Sequence, residues 1–292
     1  MARLGINVKS LNKEINKQPV LDNISFSASP AKITTIFYNN EYNVNILFNA
    51  LVRLCKIDSG NISFFGHNIA KERDYVMNFV GFKPSKHKSF NEMKVINYFE
   101  YSSMFYPGNY LSNALDLLKY FNLDTNLKLK SLTNSEKQIL STIDAVFFNP
   151  EVIILSDPFI DLYVDHQTLL KDLLLKLRAK GVTILISSND LNKINYYDQA
   201  IFMKDNKLID MDDNAKLLNT YKLIKVYAND LSLEVLKNKK VIRYRNENNM
   251  FEILFKGNED EAKDFMKKFK TLSYTILEPS INEIYEVVYE SA

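Results

Sequence analysis

Two uninterrupted apolar runs, "EVIILSDP" at 151–158 and "GVTILISSN" at 181–189, flank one amphipathic stretch, "HQTLLKDLLLKLRAK" at 166–180. A strand with one wet face alternates apolar and polar residues. A run of Val, Ile and Leu without alternation belongs to a strand covered on both faces. With a helix between them, the two runs read as a β–α–β unit and so as strands of one parallel sheet. No other feature constrains the fold as strongly, because a parallel sheet requires crossover helices and further buried strands.

The rest of the chain supplies them. "ITTIFYNNEYNVNILFNALVRL", Ile33 to Leu54, reads as a strand, a polar turn and a helix from about Asn45 to Leu54. Residues 4–28 hold two alternating segments, "LGINVKSL" and "VLDNISFSAS", the pattern of antiparallel strands. "DSGNISFFGHNIA" gives a turn, a strand and a turn, and "YVMNFVGFKP" carries a strand into Pro84. From about 90 to 146 the apolar spacing is helical, over "VINYFEYSSMFY", "YLSNALDLLKYFNL" and "SEKQILSTIDAVFF". Its Phe and Tyr residues are expected in a core. "QAIFMKDNKLI" adds an edge hairpin.

After about Asn214 the texture becomes strand, helix, strand, strand, helix, strand, followed by a short last helix in "SINEIYEVVYES". That order is the split βαβ, ferredoxin-like arrangement. The expected organisation is an α/β domain over 1–213, with a helical subdomain at about 88–146, and a small α+β domain over 214–292.

Composition narrows the function. With 37 basic and 35 acidic residues the net charge is +2, which gives no nucleic-acid footprint. Cys55 is the sole cysteine, so neither an internal disulfide nor a multi-cysteine metal site is expected. It follows Leu47, Leu51 and Leu54 at helical spacing and is expected to be a buried thiol. His67, His87 and His166 lie far apart, in structural or surface roles. No run approaches the roughly 20 apolar residues of a membrane span. The chain therefore reads as cytoplasmic.

The strand–turn–helix at Ile33–Leu54 is where a phosphate-binding loop would sit, yet the glycines and lysine of such a loop are missing. The chain has 7 glycines, and none lies between Gly5 and Gly60 or between Gly108 and Gly181. Even so, the order of segments resembles the nucleotide-binding subunit of ABC transporters. "VLDNISFSASPAKITTIF" resembles the opening strands of that family, and "SGNISFFGHNI" the hairpin after its phosphate-loop helix. "VGFKPSKHKSFNEMKV" is similar to the strand into the Q-loop. "KSLTNSEKQILSTIDAVFFNPEVIILSDPFIDLYV" is similar to the signature segment, its helix, the Walker B strand and the D-loop. "GVTILISSNDLNKINYYDQAIFMKDNKLI" is similar to the H-loop strand and closing hairpin. "ILEPSINEIYE" resembles the tail of subunits that serve ABC-2 type exporters. The separations from Thr133 to Ser156 and from Ser156 to Asn189 agree with the family's spacing.

What the resemblance implies is a P-loop, ABC-type ATPase fold whose chemical positions have changed. The Walker A pattern G-x-x-x-x-G-K-[ST] closes backbone N–H groups around phosphates and sends a lysine to the outer ones. Aligned here, its glycine positions fall on Tyr38, Glu41 and Asn43, its lysine on Val44 and its metal-binding hydroxyl on Asn45. At about 5 Å and an effective dielectric of about 20, Glu41 would oppose each phosphate charge by about 3 kcal/mol before screening. The adenine-stacking position falls on Ile15, the Q-loop glutamine on Ser85 and the Walker B aspartate on Ser156. The acidic residue that follows becomes Asp157, and the H-loop histidine becomes Asn189. In the signature, Thr133, Asn134 and Ser135 replace a serine and two glycines, and Glu136 follows them. Thr-x-x-Glu is a capping box, and Asn43 is a candidate cap for the first helix.

No catalytic residue, metal ligand or cofactor is therefore expected. By resemblance the chain is a silent nucleotide-binding-type subunit at the inner face of the membrane. It would be held there by a permease that docks near residues 85–110, beside a second, competent ATPase subunit. Two alternatives stay open: an ATPase that still uses ATP and magnesium at a composite dimer site, and a free-standing regulatory pseudo-ATPase.

Overall fold

A two-residue turn at Asn16 and Lys17, both at positive φ, folds β1 (Ile6–Ile15) back onto β2 (Gln18–Ala28) as an antiparallel hairpin. Paired positive φ values give the turn the twist that matches the strands it joins. The computed structural model describes residues 4–85, 92–190, 196–213, 220–227, 237–247, 249–267, 273–280 and 283–284. The chain divides into two units, Met1–Met211 and Asp212–Ala292.

In the first unit, β3 (Ile33–Tyr38) leads through Asn39 and Asn40 into α1 (Glu41–Leu51). The helix thus starts four residues before the expected Asn45, and it ends at Leu51. Leu54 is consequently exposed and Cys55 only half-buried, where a buried thiol was expected. β4 (Ser59–Phe64) and β5 (His67–Asn68) join the hairpin in a four-stranded sheet of order β2-β1-β4-β5. A short helix, α2 (Arg73–Met77), precedes β6 (Val80–Lys83).

The helical segment contains α3 (Val95–Ser103), α4 (Leu111–Tyr120) and α5 (Asn134–Val146). It is followed by β7 (Val152–Leu155), α6 (Val164–Ala179), β8 (Thr183–Ser188), β9 (Gln199–Lys204) and β10 (Lys207–Asp213). The central sheet has the order β10-β9-β3-β8-β7-β6, with the five strands from β9 to β6 parallel to one another. The unbroken apolar runs at 151–158 and 181–189 supply β7 and β8, and both strands are buried from end to end. Gly81 lets β6 approach α5 closely: a Cβ there would lie 1.8 Å from the Ala145 carbonyl oxygen.

Val44, Leu47, Phe48 and Leu51 turn one face of α1 into the apolar cluster shared with β1, β2 and β4. Phe99, Phe121 and Phe147 are fully buried among the helices, as expected of the aromatic-rich segment, while Tyr101, Met104 and Phe105 are exposed. Asp144 of α5, half-buried, is hydrogen-bonded to Tyr98 and Ser102, and desolvation pushes its carboxyl up to about 6. A carboxyl raised in the fold adds stability at low pH and loses it as pH climbs through about 6. Asp144→Asn is therefore expected to stabilise the protein by ~1–2 kcal/mol at pH 7.5. The gain should vanish at pH 4, which urea unfolding at the two pH values would measure.

The second unit is a four-stranded antiparallel sheet of β11 (Tyr221–Tyr227), β12 (Val241–Glu247), β13 (Met250–Lys256) and β14 (Ser273–Leu277). Its order is β12-β13-β11-β14, that of a split βαβ module. The helix α7 (Glu259–Lys267) buries Ala262, Phe265 and Met266 against Ile224, Val226, Phe251, Ile253 and Phe255. The expected helix in "LSLEVLKN", except for Lys237 and Asn238, lies outside the described residues. So does most of the expected last helix and His87. Among the described residues, no helix is long and apolar enough to cross a membrane.

Candidate functional site

Ligands of open parallel sheets bind outside the carboxyl ends of the strands. Four neighbouring strands, β3, β8, β7 and β6, end here in polar residues: Tyr38, Ser187, the Ser156–Asp157 pair just beyond β7, and Lys83. All five are buried. The Tyr38 hydroxyl donates to the Asp157 carboxylate. The Asp157 N–H donates to Ser187 Oγ at 3.0 Å, and the Ser187 hydroxyl also serves the carboxylate. Lys83 Nζ donates to the Ser156 carbonyl at 2.8 Å and to the Pro84 carbonyl at 3.4 Å.

Electrostatics follow from burial. Desolvation raises the Asp157 carboxyl above its ordinary value, Tyr38, Lys83 and Ser187 oppose that rise, and Glu41 adds to it. Desolvation likewise pulls the Lys83 ammonium down to about 8, against the attraction of Asp157. Asp157 also adopts a positive φ of 45°, the left-handed region that Asp enters more readily than most non-glycine residues.

Beside this row, the turn between β3 and α1 is only two residues long. The Asn40 side chain caps α1 by accepting the Asn43 N–H at 3.2 Å. The expected cap was Asn43 itself. That residue instead lies inside the helix, because the helix begins at Glu41. Asn39 is tied to the β9–β10 turn, accepting the Asp205 N–H at 2.8 Å and donating to its carboxylate at 3.2 Å. Glu41 places a carboxylate in the first turn of α1, where its charge is favourable to the positive end of the helix dipole. Val44, at the position of the motif's lysine, has no exposed surface. Asn45 contacts Glu41 at 3.5 Å.

A triphosphate with magnesium needs open backbone amides, a lysine and a hydroxyl in this place. The residues present do not fit it. Positions 41–44 are wound into helix, the amide of Asn43 is taken, and the cationic centre of the edge is a lysine from β6.

The remaining aligned positions are spread over the first unit. Ile15 is half-buried at the end of β1, Ser85 is half-buried after β6, and Asn189 is exposed after β8. At α5, Thr133 and Glu136 form the complete capping box: the Thr133 N–H donates to Glu136 Oε2 at 2.7 Å and the Glu136 N–H to Thr133 Oγ1 at 3.3 Å. Asn134 is exposed in the first turn. Ser135 is buried, pairs with His166 Nδ1 at 2.6 Å and accepts the Tyr163 N–H at 3.1 Å. Among the described residues, no group of His, Cys, Asp and Glu is arranged to hold a metal.

Sequence reading missed Lys83, Asn40 and His166. The signal for Lys83 was a charge closing the apolar strand "VGFK". The signal for Asn40 was an Asn directly before an acidic first turn, a standard helix-start pattern.

No family model matches the chain. It is 24% identical over 214 residues to an uncharacterised ABC transporter ATP-binding protein of Methanocaldococcus jannaschii, spanning 70% of this chain and 76% of that protein. It is 21% identical over 284 residues to the ABC transporter ATP-binding protein YtrB of Bacillus subtilis, spanning 96% of each. Among solved structures, an ATP-binding subunit of an ABC transporter superposes with a TM-score of 0.68 at 19% identity, over 73% of this chain and 91% of that one. A dimeric bacterial ABC transporter cassette gives 0.65 at 18% identity, over 71% and 98%. The chain thus has the fold of an ABC transporter cassette, and its sequence is similar to those of ABC transporter ATP-binding proteins.

Proposed function

We propose that the chain is a silent member of this group: an ABC-type subunit that neither binds nor hydrolyses ATP and that scaffolds or regulates an ABC-2-like exporter. The carrying observation is the start of α1 at Glu41, capped by Asn40, with Val44 buried behind it. A phosphate-binding loop works through backbone N–H groups left open to the ligand. Here two turns of protein geometry, one at α1 and one at α5, satisfy such donors with Asn40, Thr133 and Glu136. Asp157 and Asn189 remain as altered counterparts of an acid and an acid/base, without a phosphate or metal to act on.

The partners follow from the group. A permease would dock near residues 85–110, a range that includes the exposed Tyr101, Met104 and Phe105. A second nucleotide-binding subunit, a copy of this chain or a competent ATPase, would face it. The subunit would then lie on the inner face of the membrane through its permease. Sequence likeness to YtrB runs through the second unit as well as the first, which supports reading both units as parts of one transporter subunit.

Co-purification of the tagged chain from its own cells, followed by ATPase assay of what is recovered, tests this. The expected result is an integral membrane permease and a second ATP-binding subunit that supplies all turnover. Turnover that rises when Glu136→Gly is introduced here would favour a composite site instead. Recovery of soluble partners alone would favour a free-standing regulator.

A further inference from the structure

Lys83 ends β6 with no exposed surface; among the described lysines, Lys222 alone is also buried. A buried ammonium is unfavourable unless oxygens and opposite charge surround it. Both are present. Two carbonyl oxygens accept from Nζ, Ser156 O at 2.8 Å and Pro84 O at 3.4 Å, and the buried Asp157 carboxylate attracts it. Glu41 adds a second negative charge felt by Asp157. Two carbonyl oxygens on the ammonium, with a buried carboxylate attracting it from beyond ion-pair distance, make a setting of the kind a hard cation selects. Here the positive centre is covalently part of the chain.

We propose that Lys83 is a tethered cation: its ammonium takes the place of a bound counter-ion for Asp157 and ties the end of β6 to the end of β7 without any ligand. The inference rests on the silent-cleft reading above and adds to it what completes the cleft. Lys83 is in this sense a positioning residue, acting through Asp157 and the two carbonyls. Its removal leaves an ammonium-shaped vacancy lined by oxygen, not a simple apolar cavity.

That difference is testable by chemical rescue on the full chain. Lys83→Ala removes a propylammonium fragment, so its thermal midpoint should fall by several degrees and recover saturably with millimolar n-propylammonium chloride. Equal tetramethylammonium chloride or sodium chloride should give no recovery, and the unchanged chain should respond to none of them. Absence of amine-specific recovery overturns the proposal. Should Lys83→Ala not fold, Lys83→Met and Lys83→Met/Asp157→Asn decide: the double variant should melt above the single one, because the orphaned carboxylate has gone. A double variant that melts as low as the two losses summed overturns the proposal as well. The two readings fail separately. A rise in the midpoint of the unchanged chain with magnesium and ATP overturns the silent cleft, whereas the amine and double-variant results judge Lys83.

Discussion

Val44→Lys, which writes the motif's lysine back into α1, is expected to lower stability by about 3 kcal/mol or more and to confer no ATP binding. Val44 has no exposed surface and belongs to an apolar cluster with Ile36, Leu47, Phe48 and Leu51. A lysine there must either bury an ammonium among these side chains or unwind the first turn of α1. The first route leaves a charge without a partner. The second gives up the Asn40 cap, a further ~1 kcal/mol. A denaturant midpoint for the variant, measured beside an ATP titration, would check both halves. An unchanged midpoint together with new ATP affinity would mean that the loop readily re-forms.

Phe147→Ala is expected to be equally damaging for a different reason. The Phe147 ring is fully buried at the junction of α5 with the rest of the helical segment. It lies 5.6 Å from Phe99, 5.4 Å from Tyr106 and 5.7 Å from Phe148, each close to edge-on. Truncation removes the transfer free energy of the ring and leaves a cavity that rigid aromatic neighbours fill poorly, a loss of about 3–5 kcal/mol. Equilibrium unfolding in urea measures it. A loss below ~1 kcal/mol would show that the aromatic cluster is not the core of this segment.

Much of this architecture is legible in the sequence because its signals are local. β7 and β8 announce themselves as unbroken Val/Ile/Leu runs, and the capping box of α5 is written in Thr133 and Glu136. The start of α1 was less legible. Asn40 and Asn43 are both chemically competent caps, and the choice between them depends on whether residues 41–43 are wound into helix. Aligning the stretch to a phosphate-loop pattern placed the helix too late, since that pattern assumes an open loop that Tyr38, Glu41 and Asn43 do not make.

Lys83 and Asp144 were hidden for a related reason. Charged residues are almost always at the surface, so a sequence gives them little weight as interior groups. Their burial is decided by tertiary packing: Lys83 by the neighbouring β7, and Asp144 by the aromatic side chains of α3 and the segment after it. The partners that make each burial tolerable, the carbonyls of Ser156 and Pro84 in one case and Tyr98 and Ser102 in the other, are joined to them only in the folded chain.

In the silent subunit proposed above, the protein's own atoms occupy the end of the sheet where a triphosphate would lie. Titrating the purified full chain with magnesium and a fluorescent ATP analogue, followed by anisotropy, tests it most directly. No saturable change is expected up to millimolar concentration. Saturable binding in the micromolar range, competed by unlabelled ATP, would contradict it.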